Sequence, residues 1–168
     1  MKVRKIVTEE ELKESINSIA EELKEKVKNK EVTLIGILRG GILFVSELMK
    51  RLNEKGLNSE VEFVVVKKDE NKNIIIVDFP SESSIKDKVV IVTDDLIKSG
   101  ETILKVIEEV KKYKPAQILS ATLVLKESAM IEPDAFGFSS ADTSYWVGFG
   151  MDYNGKYRDL QYIGEIIE

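Results

Sequence analysis

The chain contains no cysteine and no histidine. The first absence excludes disulfides, thiolate metal sites and a cysteine nucleophile. The second removes imidazole as acid, base or ligand, so any chemistry falls to Asp, Glu, Lys, Tyr and bound ions. No apolar run approaches the roughly 18 residues of a transmembrane helix. The charged N-terminus, MKVRKIVTEEEL, lacks the apolar centre of an export signal. The expected setting is therefore the cytoplasm, with no membrane partner. Positive charge is also short: 25 Lys and Arg stand against 30 Asp and Glu, a net charge of −5. That balance argues against bulk nucleic-acid binding. What remains is a composition of 43% hydrophobic and 33% charged residues over 168 positions. Such a chain is long enough to bury the core of one domain, spanning residues 1–168.

Periodicity divides the chain into alternating elements. TEEELKESINSIAEELKEKV carries an apolar stripe at Leu12, Ile16, Ile19, Leu23 and Val27, with Thr8 and Glu11 at capping-box spacing, and predicts a helix. VTLIGIL, residues 32–38, is a continuous apolar run, as in a strand buried on both faces. It ends at Arg39-Gly40-Gly41, and ILFVSELMKRL then predicts a helix stopped near Gly56. EVEFVVV and IIIVDF flank the polar turn KKDENKN and predict a hairpin. KVVIVTD, ETILKVIEEVKKY and AQILSATLVL predict strand, helix and strand. The alternation implies an α/β fold, a mostly parallel twisted sheet flanked by helices. After Glu127 the texture changes to short strands and turns, DAFGF, YWVGFG and YIGEI. Residues 127–168 are expected to form a small hood.

In open α/β sheets ligands bind beyond the carboxyl ends of the strands. Two strand ends here have unusual chemistry. Gly40 and Gly41 allow close backbone approach or positive φ, and Arg39 is a fixed cation suited to phosphate. In VTDDLIKSGETI, Asp94 and Asp95 are expected to leave the strand, Ser99-Gly100 to turn, and Thr102 to begin a helix. The amides of such a loop, with a helix N-terminus behind them, form an anion nest. The carboxylates suit sugar hydroxyls, or magnesium through water. Phosphate donors beside a carboxylate pair suit a sugar phosphate. The Walker order of glycines and lysine is absent.

Over nearly its whole length the chain resembles the type I phosphoribosyltransferases, and within them the hypoxanthine-guanine branch. An apolar strand, two acids, two apolar residues, a variable residue, Ser-Gly and a downstream Thr form the signature for phosphoribosyl pyrophosphate. GILRGGILFVSELMKRL is similar to the branch's pyrophosphate loop and following helix, and LVLKE to its base-contacting strand. PDAFGFSSADTSYWVGFGMDYNGKYRDLQYIGEI is similar to its C-terminal region. The resemblance implies the type I phosphoribosyltransferase fold with a C-terminal hood. It implies transfer of a 5-phosphoribosyl group to hypoxanthine, guanine or xanthine, with release of pyrophosphate, in purine salvage. The alternative is a weak or inactive member that binds nucleotide or phosphoribosyl pyrophosphate for regulation. The implied cofactor is Mg2+, and the implied assembly a homodimer or homotetramer.

Residue by residue, the resemblance assigns Asp94 and Asp95 to the ribose hydroxyls. Lys98, Ser99, Gly100, Glu101 and Thr102 become the 5-phosphate loop, and Arg39, Gly40 and Arg158 the pyrophosphate contacts. Lys126 would meet the purine 6-oxo group, Tyr145 would stack on the base and Trp146 would line its pocket. Asp152 would lie near the base and the magnesium shell. Phe149 is expected in the core, the usual fate of an aromatic.

Three positions depart from the family pattern. Lys98 stands where the family has a carboxylate near purine N7, a reversal of charge in the catalytic set it forms with Asp94 and Asp95. A lysine is no base at neutral pH unless its pKa falls by several units, and nearby aspartates push the other way. It can instead donate to N7, with water taking the proton. The turn KKDENKN is shorter than the family's lid and lacks its Ser-Tyr pair. Trp146 replaces a small aliphatic residue.

Overall fold

The computed structural model describes residues 1–28 and 31–168. The chain opens with strand β1 (Lys2–Val7) and helix α1 (Glu9–Lys26). Thr8 Oγ1 accepts from the Glu11 amide, and the Glu11 carboxylate accepts from the Thr8 amide, so the helix begins with the capping box its spacing predicts. Leu12, Ile16, Ile19 and Leu23 are buried along one stripe.

A six-stranded sheet follows, built from β2 (Val32–Leu38), β3 (Ser59–Lys68), β4 (Ile74–Asp78), β5 (Val89–Ile97), β6 (Gln117–Lys126) and β7 (Ala135–Ser140). The spatial order is β4-β3-β2-β5-β6-β7, parallel throughout except for the edge strand β4. Helices α2 (Ile42–Glu54) and α3 (Glu101–Lys111) connect its strands. Successive residues of the central strands point to opposite faces. Leu34, Val89 and Ile91 pack with α1 and α2, while Ile35, Val90 and Val92 pack with α3. This two-sided burial is why the central strands read as unbroken apolar runs. Each fully buried Leu, Ile or Val contributes about 1.5–3 kcal/mol.

A second, three-stranded antiparallel sheet has the order β1-β9-β8, with β8 at Trp146–Val147 and β9 at Ile163–Ile167. Residues 127–168 supply β8 and β9, but β7 joins the main sheet. The third hood strand, β1, comes from the N-terminus, pairing Lys2 with Ile167 and Val7 with Ile163. Its polar, half-exposed sequence gives little local signal of pairing.

The strand order reverses between β2 and β5, and this positions the site. β2 leads outward to β3, and β5 leads the other way to β6. The loops after β2 and β5 therefore lie side by side at the carboxyl edge. One expectation is corrected here. Asp94 and Asp95 do not leave the strand, because β5 continues to Ile97. Its pairing with β2 stops at Gly36–Thr93, but pairing with β6 runs on through Asp94–Thr122, Leu96–Val124 and Ile97–Leu125. The aspartates thus sit on a strand braced on one side and open on the other.

Candidate active site

The opening beside β5 is part of a cleft of about 550 Å³. Its floor is the stretch Asp94 to Ile103. Its other walls are Lys126 and Ser128 from β6 and beyond, Asp142, Ser144, Tyr145, Trp146, Met151 and Asp152 from the hood side, and Lys68 and Ile74 from the β3–β4 hairpin. Of the residues singled out from sequence, Asp94, Asp95, Lys98, Ser99, Gly100, Glu101, Thr102, Lys126, Tyr145, Trp146 and Asp152 converge on this cleft. Arg39, Gly40 and Arg158 are not part of its lining.

The floor is rigid for local reasons. Asp94 is buried, its Oδ1 accepting from the Asp95 amide at 2.9 Å, and Asp95 Oδ1 accepts from the Leu96 amide at 2.9 Å. Burial, reinforced by the adjacent Asp95 charge, pushes the Asp94 carboxyl well above the usual carboxylate range. Two acids held this way are short of donors, and a ligand bringing hydroxyl protons relieves them.

The loop after β5 turns at Gly100, whose φ of +103° suits glycine. A Cβ there would also meet Ile131 at 2.4 Å. Ser99 Oγ accepts from the Glu101 amide at 3.3 Å, and the Ser99 carbonyl accepts from the Met130 amide at 2.9 Å. The loop runs into the first turn of α3, whose leading amides have no partners within the helix, an arrangement that suits an anion.

Gly40 is needed for close approach rather than positive φ. A Cβ on it would lie 2.1 Å from Asp95 Oδ2. Gly150 backs Gly40 in turn: its φ is +98°, and a Cβ there would lie 2.1 Å from the Gly40 carbonyl oxygen. Strand floor, β2 loop and hood are therefore in contact through two glycines. The Arg39 side chain is exposed.

The roof is tied together by side chains reaching backbone. Arg158 donates to the Gly150 carbonyl at 2.6 Å and pairs with Asp152 at 3.2 Å. The other Asp152 oxygen accepts from the Gly155 amide at 2.7 Å. Tyr145 donates to the Asp152 carbonyl at 3.2 Å, and its ring meets Tyr153 edge-on at 5.2 Å. Burial, then the Asp152 charge, raise the Tyr145 pKa, so its hydroxyl stays protonated as that donor. Trp146 is half-buried and pairs with Glu165 in the hood sheet. Phe149 packs against the core as expected.

Lys126 is buried and donates to Ser140 Oγ at 3.0 Å, the Ala141 carbonyl at 2.8 Å and the Ser144 carbonyl. Burial lowers its pKa, and the Lys98 charge lowers it further. Lys98 turns into the cleft, its Nζ 5.9 Å from the centroid of the Tyr145 ring. Sequence reasoning missed Ser140, Ala141 and Ser144. Their contribution is a hydroxyl and two carbonyls aimed by the fold, which no short motif records. It also missed Lys68, which a polar turn hid.

A small hairpin replaces any long lid. Asp69 accepts from the amides of Asn71 and Asn73 and closes the β3–β4 turn.

An open α/β sheet with its ligand groups at the strand-order reversal defines a class of nucleotide- and sugar-phosphate-binding proteins. The chain belongs to the phosphoribosyl transferase domain family, whose model matches residues 3–156. It is 32% identical to a hypoxanthine phosphoribosyltransferase of Buchnera aphidicola subsp. Schizaphis graminum, over 98% of this chain and 96% of that protein. It is 30% identical to a hypoxanthine-guanine phosphoribosyltransferase of Lactococcus lactis subsp. lactis, over 95% of this chain and 88% of the other. A crystal structure of a Staphylococcus aureus hypoxanthine phosphoribosyltransferase superimposes with a TM-score of 0.87 at 27% identity, covering 98% of this chain and 92% of that one.

Proposed function

We propose that the chain is a 6-oxopurine phosphoribosyltransferase of purine salvage, acting in the cytoplasm. It would use phosphoribosyl pyrophosphate and hypoxanthine, guanine or xanthine. The observation that carries this is the juxtaposition, in one cleft, of a carboxylate pair (Asp94 buried, Asp95 half-buried), the N-terminal turn of α3 and an exposed tyrosine ring. Among the described residues, no helix is long and apolar enough to cross a membrane.

In this reading Asp94 and Asp95 accept hydrogen bonds from the ribose 2- and 3-hydroxyls. The amides of residues 98–102, with the Ser99 and Thr102 hydroxyls, hold the 5-phosphate. Tyr145 stacks on the base, and Trp146 closes its pocket. Arg39 and Arg158 lie outside the lining and serve the pyrophosphate where it extends past Gly40. Positive charge develops at ribose C1 as pyrophosphate departs, and the fixed carboxylates and nearby base stabilise it by position.

Among the described residues there is no group of three or more acidic side chains arranged to hold a metal. A magnesium ion therefore fits as one bound mainly through ligand oxygens and water, with Asp152 the carboxylate on its side of the cleft. When bound it would neutralise pyrophosphate charge. Exposed Phe63, Ile75 and Val77 on the β3–β4 edge support self-association, as a homodimer or homotetramer.

The test is nucleotide formation from each of the three bases with phosphoribosyl pyrophosphate and Mg2+. No turnover with any base sinks the proposal. The second reading, a regulatory nucleotide binder, is favoured by the cation at Lys98 and the short β3–β4 turn. It predicts tight binding without product.

A further inference from the structure

Asn154 and Gly155 are the two central residues of a turn in the roof of the cleft. Tyr153 and Lys156 flank them and exchange two backbone hydrogen bonds, each 3.0 Å. Both central residues have positive φ, 51° and 77°, as a two-residue type I′ turn requires, and Asn-Gly is a pair well suited to it. Both are exposed. The Gly155 amide donates to Asp152 Oδ2 at 2.7 Å. The same Asp152 pairs with Arg158 at 3.2 Å, and its carbonyl accepts from Tyr145 at 3.2 Å. Asp152 lines the cleft and Asn154 does not.

Asn-Gly is also a reactive pair. The glycine nitrogen, with no side chain beside it, can attack the asparagine side-chain carbonyl once it gives up its proton. The new N–C bond closes a succinimide ring, and ammonia leaves with the electron pair of the broken C–N bond and that proton. Water then adds to either ring carbonyl. Addition at the former backbone carbonyl gives isoaspartate, which routes the chain through the side chain and lengthens it by one methylene. Addition at the other gives aspartate.

We propose that Asn154 is a self-modification site, that the Asp152 carboxylate guards it by holding the Gly155 amide, and that its conversion to isoaspartate unfastens the roof of the cleft. Two features restrain the reaction in the folded protein. The attacking nitrogen has its proton committed to a carboxylate. The turn also fixes both residues in the left-handed region while the flanking bonds hold. Attack therefore waits on local opening of the turn, and its rate follows the open population. Losing the bond to Asp152 raises that population about ten-fold or more, the size of a hydrogen bond to a charged group. Once formed, isoaspartate no longer fits a two-residue turn, so Gly155 leaves Asp152 and a new carboxylate stands two positions from the old one. Asp152 passes the change to Tyr145 through its carbonyl, and Tyr145 adjoins Trp146, the chain's one tryptophan. The consequence holds whatever ligand the cleft takes.

The test keeps the full chain at mildly alkaline pH, which speeds loss of the amide proton, and counts isoaspartate at position 154 by peptide mapping. It should form about ten-fold or more slowly in the native wild type than in urea-unfolded wild type or in native Asp152→Ala. Native Asp152→Asn, which keeps an oxygen acceptor without the charge, should fall between. Aged wild type should show shifted Trp146 fluorescence and a lower Tm. Asn154→Gly, in which glycine suits the φ of 51° and has no side-chain amide to lose, should age unchanged. Equal rates in native and unfolded wild type, or in the wild type and both Asp152 variants, overturn the guard. Identical fluorescence and melting before and after conversion overturn the link to the roof. No isoaspartate at 154 even in the unfolded chain overturns the site itself. None of these outcomes bears on the transferase reading, which the turnover assay decides.

Discussion

The floor and the roof of the cleft are built in different ways. The floor, Asp94 to Ile103, is one continuous stretch. It is fixed by buried Val89 to Val92 behind it and by β6 beside it. The roof draws on Lys126, Ser140 to Trp146 and Gly150 to Arg158. Its geometry depends on side chains that find backbone acceptors far away in sequence, such as Lys126 to Ser144 and Arg158 to Gly150. A floor tied to the core tolerates little motion. A roof held by polar ties, each contributing about 0.5–1.5 kcal/mol net, can adjust around a ligand.

That contrast can be broken in four places. Asp95→Ala strikes the floor and should lower kcat/KM by about 10²-fold or more, since charged hydrogen bonds contribute about 1.5–3 kcal/mol each. Steady-state kinetics decide it, and a loss under ten-fold would mean that the carboxylate does not hold the ribose. Gly150→Ala strikes the junction. A φ of +98° and a methyl against the Gly40 carbonyl should cost about 2 kcal/mol or more and lower Tm by about 4–8 °C. A change within 1 °C, roughly the noise on that scale, would show floor and roof to be independent.

Asp94→Asn should separate stability from binding. The raised Asp94 pKa means that its stabilising, protonated form prevails below the unfolded value. Stability is then lost as pH rises through the folded value. Near neutral pH the unliganded variant should melt about 2–4 °C higher than the wild type, and the pH dependence should flatten. Binding of phosphoribosyl pyrophosphate should weaken at the same time. A lower Tm at neutral pH would contradict the burial argument. The smallest effect belongs to Arg4→Gln, which removes the ion pair to Glu165 across β1 and β9. With Arg4 well exposed, melting should shift by less than about 2 °C, a check that the roof does not rest on surface charge.

How much of this could be read in advance follows the same division. Thr8 and Glu11 announced α1, and the runs at Val32–Leu38 and Val89–Val92 announced the central strands, because helix caps and two-sided burial leave local patterns. The convergence of Asp94, Ser99, Gly100 and Thr102 was also legible, since the residues are adjacent. The end of β5 was not. The aspartates read as a loop, yet pairing with β6 carries the strand to Ile97. Nor was β1 legible as a hood strand, because its partner β9 lies at the far end of the chain.

Lys98 and Lys126 show where local information stops. Their identities, their charges and the elements that carry them are settled by short-range pattern: one follows a strand with two acids, the other ends a strand. Which of them keeps free protons is not a local property. It follows from the folding of residues 140–144 over Lys126, where a hydroxyl and two carbonyls consume its donors. Hydrogen-bond capacity is finite and is allotted by distance in space, so which lysine has its protons taken emerges only when the strands and the hood have been brought together.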